Sequence, residues 1–395
     1  MKLEFFIANR LKSVKVENDN TSTPSLNVAI IGMTLAITIM ILSITIVCGF
    51  KNEISTKIYN LDSHIKIVHS TPNYNINDIK SITDNIKNAS YISEKSIVLK
   101  TNSDFKGIIY KGIDKSYDCS YLEKELIEGK LPNLNDTIYS KEIIVSKKNA
   151  DEMRLKIGDK IYAYFIDNNI KARSLTISGI YNTGLLEFDK TYIIGDIGIL
   201  NNIDNVTSFI GINCKSHDKI DEVTSLLQNY YYTDNNIINI SNTTRNNISY
   251  FTWLKLLDTN VIVIIIIMLL VTSFTLISAM LMIVLERINM IGILKTIGTT
   301  NKSIRMIFIY LTNKLILKSL LLGNLIGLGL SLIQHEYKLI KLDTESYYIS
   351  HVPIEINWYI IIILNIGILL TAYLSLLAPS HIISKIEPNK SLKFE

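Results

Sequence analysis

The chain has 395 residues, 48% hydrophobic and only 19% charged, with a formal net charge of +4. A soluble chain carries nearer a quarter charged residues. A charge this small, with no basic cluster interleaved with aromatics, gives nucleic-acid binding no support. The apolar residues gather in four runs around a polar middle, which reads as an integral membrane protein with one extramembranous domain.

Residues 1–26 carry Lys2, Arg10, Lys12 and Lys15 ahead of the first run, 27–50. That run is too long for a signal-peptide core and lacks a small-x-small cleavage site, so it is expected to be a retained helix. Runs 259–285, 304–334 and 357–380 follow. The runs at 27–50, 259–285 and 357–380 contain no charge, and each exceeds the roughly 20 residues needed to cross about 30 Å of hydrocarbon. Positive charge before the first span argues for a cytoplasmic N-terminus. Four spans then bring 286–303, with Arg287, Lys295 and Lys302, and the tail 381–395, with Lys385, Lys390 and Lys393, to the same side. The acid-rich loop 335–356 and the domain 51–258 fall on the opposite side.

In 51–258 the pattern changes to short alternating runs, which predicts an α+β domain of two subdomains. Strands are expected at 63–69, 97–100, 106–113, 142–145, 160–165, 174–181, 191–194 and 208–213. Helices are expected at 76–89, 147–155 and 218–232, with a helical stalk at 241–257 leading into the second span. Cys119 and Cys214 lie in this domain, where an oxidising compartment would permit a bridge without the spacing requiring one.

Between the second and third spans, Met290, Ile291, Leu294 and Ile297 fall at helical spacing, while Arg287, Asn289 and Lys295 cover other directions. Gly298-Thr-Thr-Asn reads as a helix stop. A surface helix here either anchors a hairpin or receives a cytoplasmic partner. Lys314 and Lys318 interrupt the third span, either snorkelling to headgroups or lining a polar path. Gly323, Gly327 and Gly329 suit close helix packing.

Catalytic signatures are missing from the sequence. Gly107 and Gly112 have P-loop separation, but Ile113-Asp114 stands where Lys-Ser/Thr is required. The six histidines show no metal-helix spacing, no Cys-x-x-Cys occurs, and no Gly-x-Ser-x-Gly appears. The chain is therefore expected to hold no metal and to be no enzyme, so any work it does must be powered from elsewhere.

Several segments together resemble the LolC/LolE permeases, within the wider group of ABC permeases that includes MacB and FtsX. The order of one span, a large outer domain and three spans is that group's. Glu286-Arg287 through Gly298 looks like its coupling helix, and Pro379 with Lys385 to Glu395 resembles its C-terminal signature. Closer to LolC/LolE are Gly49-Phe50-Lys-Asn-Glu-Ile with Ser63-His64-Ile, the run Gly179 to Asp189, and the outer loop Leu339 to Pro353.

The resemblance implies a membrane α-helical fold with a large α+β, MacB-like periplasmic core domain between its first and second helices. It implies a multi-pass inner-membrane subunit, non-catalytic and without a cofactor of its own. This subunit would pair with a second permease copy and with LolD-like ATPase subunits that handle ATP and magnesium. Lipoproteins would be extracted from the outer leaflet and handed to a LolA-like periplasmic carrier. The positions carried over for ATPase coupling are Glu286, Arg287, Met290, Ile291, Gly292, Leu294, Lys295 and Gly298. Met33, Met40 and Met268 are candidate substrate contacts on the first two spans, since methionine offers adaptable apolar contact. Phe165, Ile166, Ile170 and Arg173 mark the hairpin that corresponds to the family's carrier-capturing hook, although here it is short and lacks proline. A MacB-like efflux permease and an FtsX-like regulator of a cell-wall hydrolase share the machinery and are the alternatives.

Overall fold

The computed structural model describes residues 22–68, 76–101, 104–134, 139–166, 170–232, 239–343, 347 and 349–385. It divides into two units. One comprises Met1–Asn52, Leu254–Ile340 and Val352–Glu395, and the other Glu53–Trp253 with Lys341–His351.

Among the described residues, four helices are long and apolar enough to cross a membrane. They are α1 (Ser22–Leu61), α8 (Ile248–Glu286), α10 (Asn301–Tyr337) and α11 (Trp358–Lys385). In the first unit these helices pack around two apolar clusters. Met33, Met280, Ile291, Phe308 and Leu376 belong to one, and Ile37, Met40, Ile41, Val261 and Ile368 to the other. The expected glycine packing is present at two positions. Gly323 and Gly327 sit against Ile37 and Ile41, leaving no room for a Cβ at Gly323, which would lie 2.7 Å from Ile37. Around Gly329 there is open space. Asn324 and Asn365 exchange amide hydrogen bonds of 2.7 and 3.0 Å between α10 and α11, which satisfies both groups where water is scarce.

The second unit is built on a single ten-stranded sheet that carries two cores. Its long strand β2 (Ile86–Lys100) belongs to both. The early part of β2 pairs antiparallel with β9 (Thr207–Cys214), which pairs with β1 (Ile65–Val68), which pairs with β10 (Asn239–Asn242). Helices α2 (Ile76–Ile82) and α6 (Ile220–Tyr232) cover these strands, burying Ile79, Val223 and Leu227 against Ile65, Ile67 and Ile212. The later part of β2 joins a closed ring. It pairs with β3 (Phe105–Ile113), and the ladders continue through β8 (Tyr192–Asp196), β5 (Glu142–Ser146), β7 (Lys171–Tyr181) and β6 (Lys160–Phe165) back to β2. Closure leaves no free edge among these six strands, and Leu99, Tyr110, Val145, Ala163 and Phe165 fill the interior. Other short elements are α3 (Ser120–Lys124), β4 (Leu126–Gly129), α4 (Lys147–Met153), α5 (Leu186–Thr191) and α7 (Thr243–Asn246). The two expected subdomains are thus two cores on one sheet.

Two expectations are corrected, and one alternative left open is decided. The helix expected at 76–89 ends at Ile82. A turn follows, in which the Ile86 amide donates to the Thr83 carbonyl, and the chain becomes β2 at Ile86. The stalk expected from Ser241 begins instead as β10 and α7, because Ile240 is buried in the core and the Asn242 side chain caps Arg245 N. Cys119 and Cys214 are not bridged; both are free thiols, and burial pushes each up to about 11.

Candidate functional site

The segment between α8 and α10 forms a short helix, α9 (Ile288–Thr296). Arg287, with φ −116° and ψ 24°, breaks it from α8. At its far end Gly298 takes φ +89°, the Thr299 amide donates to the Leu294 carbonyl and the Gly298 amide to the Lys295 carbonyl. This double closure is a Schellman stop, and glycine suits the left-handed position it requires. Thr300 then accepts from Ser303 N and starts α10. The stop at Gly298 and the cap at Thr300 confine the link between the nine-residue α9 and α10 to four residues, 297–300.

The positions carried over by resemblance divide between the two faces of α9. Ile291 is fully buried and Gly292 is buried with it. Met290 and Leu294 are half-buried against the same cluster as Ile283, Ile304 and Phe308. These four residues hold α9 to its own unit. Arg287 and Lys295 are half-buried, while Glu286 and Gly298 are exposed. The outward stripe is Glu286, Asn289, Ile293 and Ile297, the two isoleucines 51% and 76% exposed. Asn289, Ile293 and Ile297 are not among the positions carried over by resemblance. Apolar residues occupy both sides of α9, so spacing alone could not say which stripe packs inward.

Two of the three substrate candidates lie inside the membrane unit. Met33 and Met40 are buried in the apolar clusters of the membrane unit, and Met268 is half-buried against one of them. In the hairpin, Phe165 points into the barrel core. Ile166 and Ile170 are exposed, and Arg173 donates from Nη2 to the Asn201 carbonyl at 2.9 Å. Lys318 is exposed and Lys314 half-buried, so neither lies in a buried polar path.

The motifs that carried the resemblance prove to be contact points. A Cβ on Gly49 would lie 2.6 Å from the Pro353 carbonyl oxygen, and Glu355 N donates to the Thr45 carbonyl at 3.1 Å. This pins the loop before α11 to α1. Within the other unit, a Cβ on Gly211 would lie 2.2 Å from Ser63 Oγ. Asp189 is buried and accepts from Thr183 Oγ1 at 2.8 Å; burial pushes its carboxyl up to about 6 despite that bond.

Residues 28–230 match the MacB-like periplasmic core domain family, and residues 262–388 match the FtsX-like permease C-terminal family. The chain belongs to the FtsX-like permeases that carry a MacB-like periplasmic core. Among its relatives is the lipoprotein-releasing system transmembrane protein LolC of Xylella fastidiosa (strain 9a5c), 20% identical over 93% of each chain. LolC of Neisseria meningitidis serogroup B is 22% identical, covering 100% of this chain and 99% of that protein. LolE of Haemophilus influenzae is 22% identical over 99% of each. The α+β domain between the first two helices of this permease is therefore of the MacB-like periplasmic core type.

Proposed function

We propose that this permease is the membrane subunit of an ABC transporter that extracts lipoproteins from the outer leaflet of the inner membrane. A separate ATPase supplies the energy, a second permease copy completes the membrane part, and a periplasmic carrier receives the cargo. The observation that carries this reading is the end-to-end similarity to proteins named for lipoprotein release, spanning the spans and the outer domain alike. Energetics favour a driven step. Acyl chains are retained by about 0.8 kcal/mol per buried CH₂, so a multiply acylated cargo does not leave unaided. In this reading both termini and α9 face the cytoplasm, and the ATPase docks on the outward stripe of α9.

Depletion of the protein, followed by fractionation of mature lipoproteins, tests the cargo. They should accumulate in the inner membrane, and unchanged delivery to the outer membrane would sink the reading. For the docking face, Ile293→Asp with Ile297→Asp should lower copurifying ATPase more than tenfold at an unchanged melting temperature. Ile291→Asp, by contrast, should lower the yield of folded permease, because it buries an unpaired charge. Equal loss of ATPase with both would mean that α9 acts only as an anchor.

A further inference from the structure

The end of α1 is gripped by the barrel through two lysines that point in opposite directions. Lys57, on α1, donates from Nζ to the Thr183 carbonyl at 3.1 Å, in the turn that follows β7. Lys111, on β3, donates from Nζ to the carbonyl of Leu61, the last residue of α1, at 2.9 Å. Lys57 and Leu61 are four residues apart and therefore share one face of the helix. Each partner thus gives one ammonium to the other's backbone.

The Lys111 side is an unusual place for a charge, since this lysine is only 2% exposed. Its neighbour Tyr110 faces the barrel interior, so strand alternation turns Lys111 outward to the helix end. The ammonium lies 5.5 Å from the centre of the Tyr117 ring and 5.7 Å from that of Phe188. Burial alone would push it down, but Tyr117, Asp62, Glu94 and Tyr192 around it hold it up, so it stays charged. The last turn of a helix leaves carbonyls without partners and carries partial negative charge. A buried cation aimed at the final carbonyl fixes where that helix ends. It also does so on β3, whose Lys111 pairs with Glu94 of β2 and Ile194 of β8. The other lysine holds Thr183, whose hydroxyl is tied to Asp189. Both contacts therefore end on rigid backbone.

We infer that Lys57 and Lys111 are positioning residues that form a reciprocal clasp, transmitting displacement of the unbroken helix α1 to the barrel during the ATP cycle. The inference rests on the transporter reading. Both ammonium groups bond backbone carbonyls of this domain, so loss of the clasp should separate ATP consumption from its effect on the outer domain.

The test uses the full-length permease with its ATPase in lipid nanodiscs, comparing wild type with Lys57→Met, Lys111→Met and the double variant. Methionine keeps the length of the side chain while removing the charge, and apolar replacement of a buried ionic group is often tolerated. Amide hydrogen exchange of β3 and β8 is followed with ATP and with ADP, beside ATP turnover, melting temperature and lipoprotein released per ATP. The nucleotide-dependent change in exchange should shrink about threefold in Lys57→Met and fivefold or more in Lys111→Met, with ATP turnover kept within twofold. An unchanged response in both variants overturns the clasp. So does a loss of response that merely tracks a fall in melting temperature, or a wild-type barrel that does not respond to nucleotide. If Lys111→Met fails to fold, the half-buried Lys57→Met decides alone. A wild type whose barrel responds but which releases no lipoprotein refutes the cargo reading and leaves the clasp standing.

Discussion

The first and second spans are both strongly apolar, yet they are held in different ways. In α1, 50% of the membrane-crossing stretch is buried, against 17% in α8. Helix α1 meets α10 through side chains that cross between helices: Thr38 Oγ1 donates to the Gly323 carbonyl, Thr45 Oγ1 meets Ser331 Oγ at 3.1 Å, and Ser319 Oγ donates to the Ile30 carbonyl. In α8, Thr272, Ser273 and Thr275 donate to the carbonyls of Met268, Leu269 and Val271 on their own helix. Helix α8 also leaves Ile262, Ile266, Leu270 and Phe274 exposed. Lys51 and Asp258, paired at 2.7 Å, tie the two helices at one end. Hydropathy therefore does not tell a scaffold span from a free one. Small and hydroxyl-bearing residues facing a partner helix do.

The largest expected contrast comes from cutting the same side chain in each span. Ile41 is fully buried, and Ile41→Ala should cost about 2–5 kcal/mol, through lost transfer energy plus a cavity. Ile267 is exposed, and Ile267→Ala should cost less than about 0.5 kcal/mol, as at other sites free of packing. Unfolding in mixed micelles, titrated with a denaturing detergent, reads both. Similar losses would mean that α8 is packed as tightly as α1.

The contrast disappears at the outer ends, where both helices reach one ring cluster. Tyr59 of α1 lies 5.4 Å from His64 and 5.5 Å from Phe251 of α8, and His64 lies 5.1 Å from His217. His64 Nδ1 accepts from the Cys214 amide at 2.9 Å, a role open only to the neutral ring. Burial, then His217 and Lys87, press His64 down to about 4 from 6.5. The unfolded chain therefore binds the extra proton between those values. Stability from this site is complete above pH 6.5 and falls as the pH drops towards 4, by about 3 kcal/mol in all. Asp189, pushed up to about 6 by burial, has the opposite slope. The quantity to read is thus the difference between wild type and His64→Asn, whose amide oxygen can replace the acceptor. Parallel melting curves for the two proteins from pH 7 to 4.5 would remove His64 as the cause.

What was readable in the sequence follows from how local each signal is. The spans were legible because about 20 consecutive apolar residues suffice to define them. The strands at 106–113, 142–145 and 160–165 were legible because alternation needs only their own residues. Strand β10 was not, since Asn239–Asn242 is short and polar and becomes a strand only by pairing with β1. The N-terminal part of β2 was hidden because Ile86, Ala89 and Ile92 suit a helix as well as a strand, and pairing with β9 decides the matter. The same limit governs the site. Met33 and Met40 are apolar residues on a span, and only the packed bundle shows that they face inward. On α9, two apolar stripes compete, and burial of Ile291 rather than Ile293 depends on Phe308 and Ile304 from a later helix.

The smallest expected effect tests the comparison where the two spans are chemically alike. Thr45→Val and Thr275→Val both replace a hydroxyl by a methyl of nearly the same shape, and both residues remain β-branched. Thr45 loses a hydroxyl shared with Ser331 and Leu42, while Ser331 keeps its bond to the Gly327 carbonyl at 2.9 Å and is not orphaned. The cost should therefore sit near the average for interhelical hydrogen bonds in membranes, about 0.6 kcal/mol. Thr275 loses only a bond to its own helix, whose carbonyl already has a backbone partner, and its cost should be close to zero. A double-mutant cycle of Thr45→Val with Ser331→Ala isolates the interhelical part, because neighbours that interact fail to add. Coupling of about 0.6 kcal/mol, with no effect at Thr275, would place the fixed contact between α1 and α10. If Thr275→Val cost as much as Thr45→Val, α8 would have a polar partner of its own and could not be the freer span.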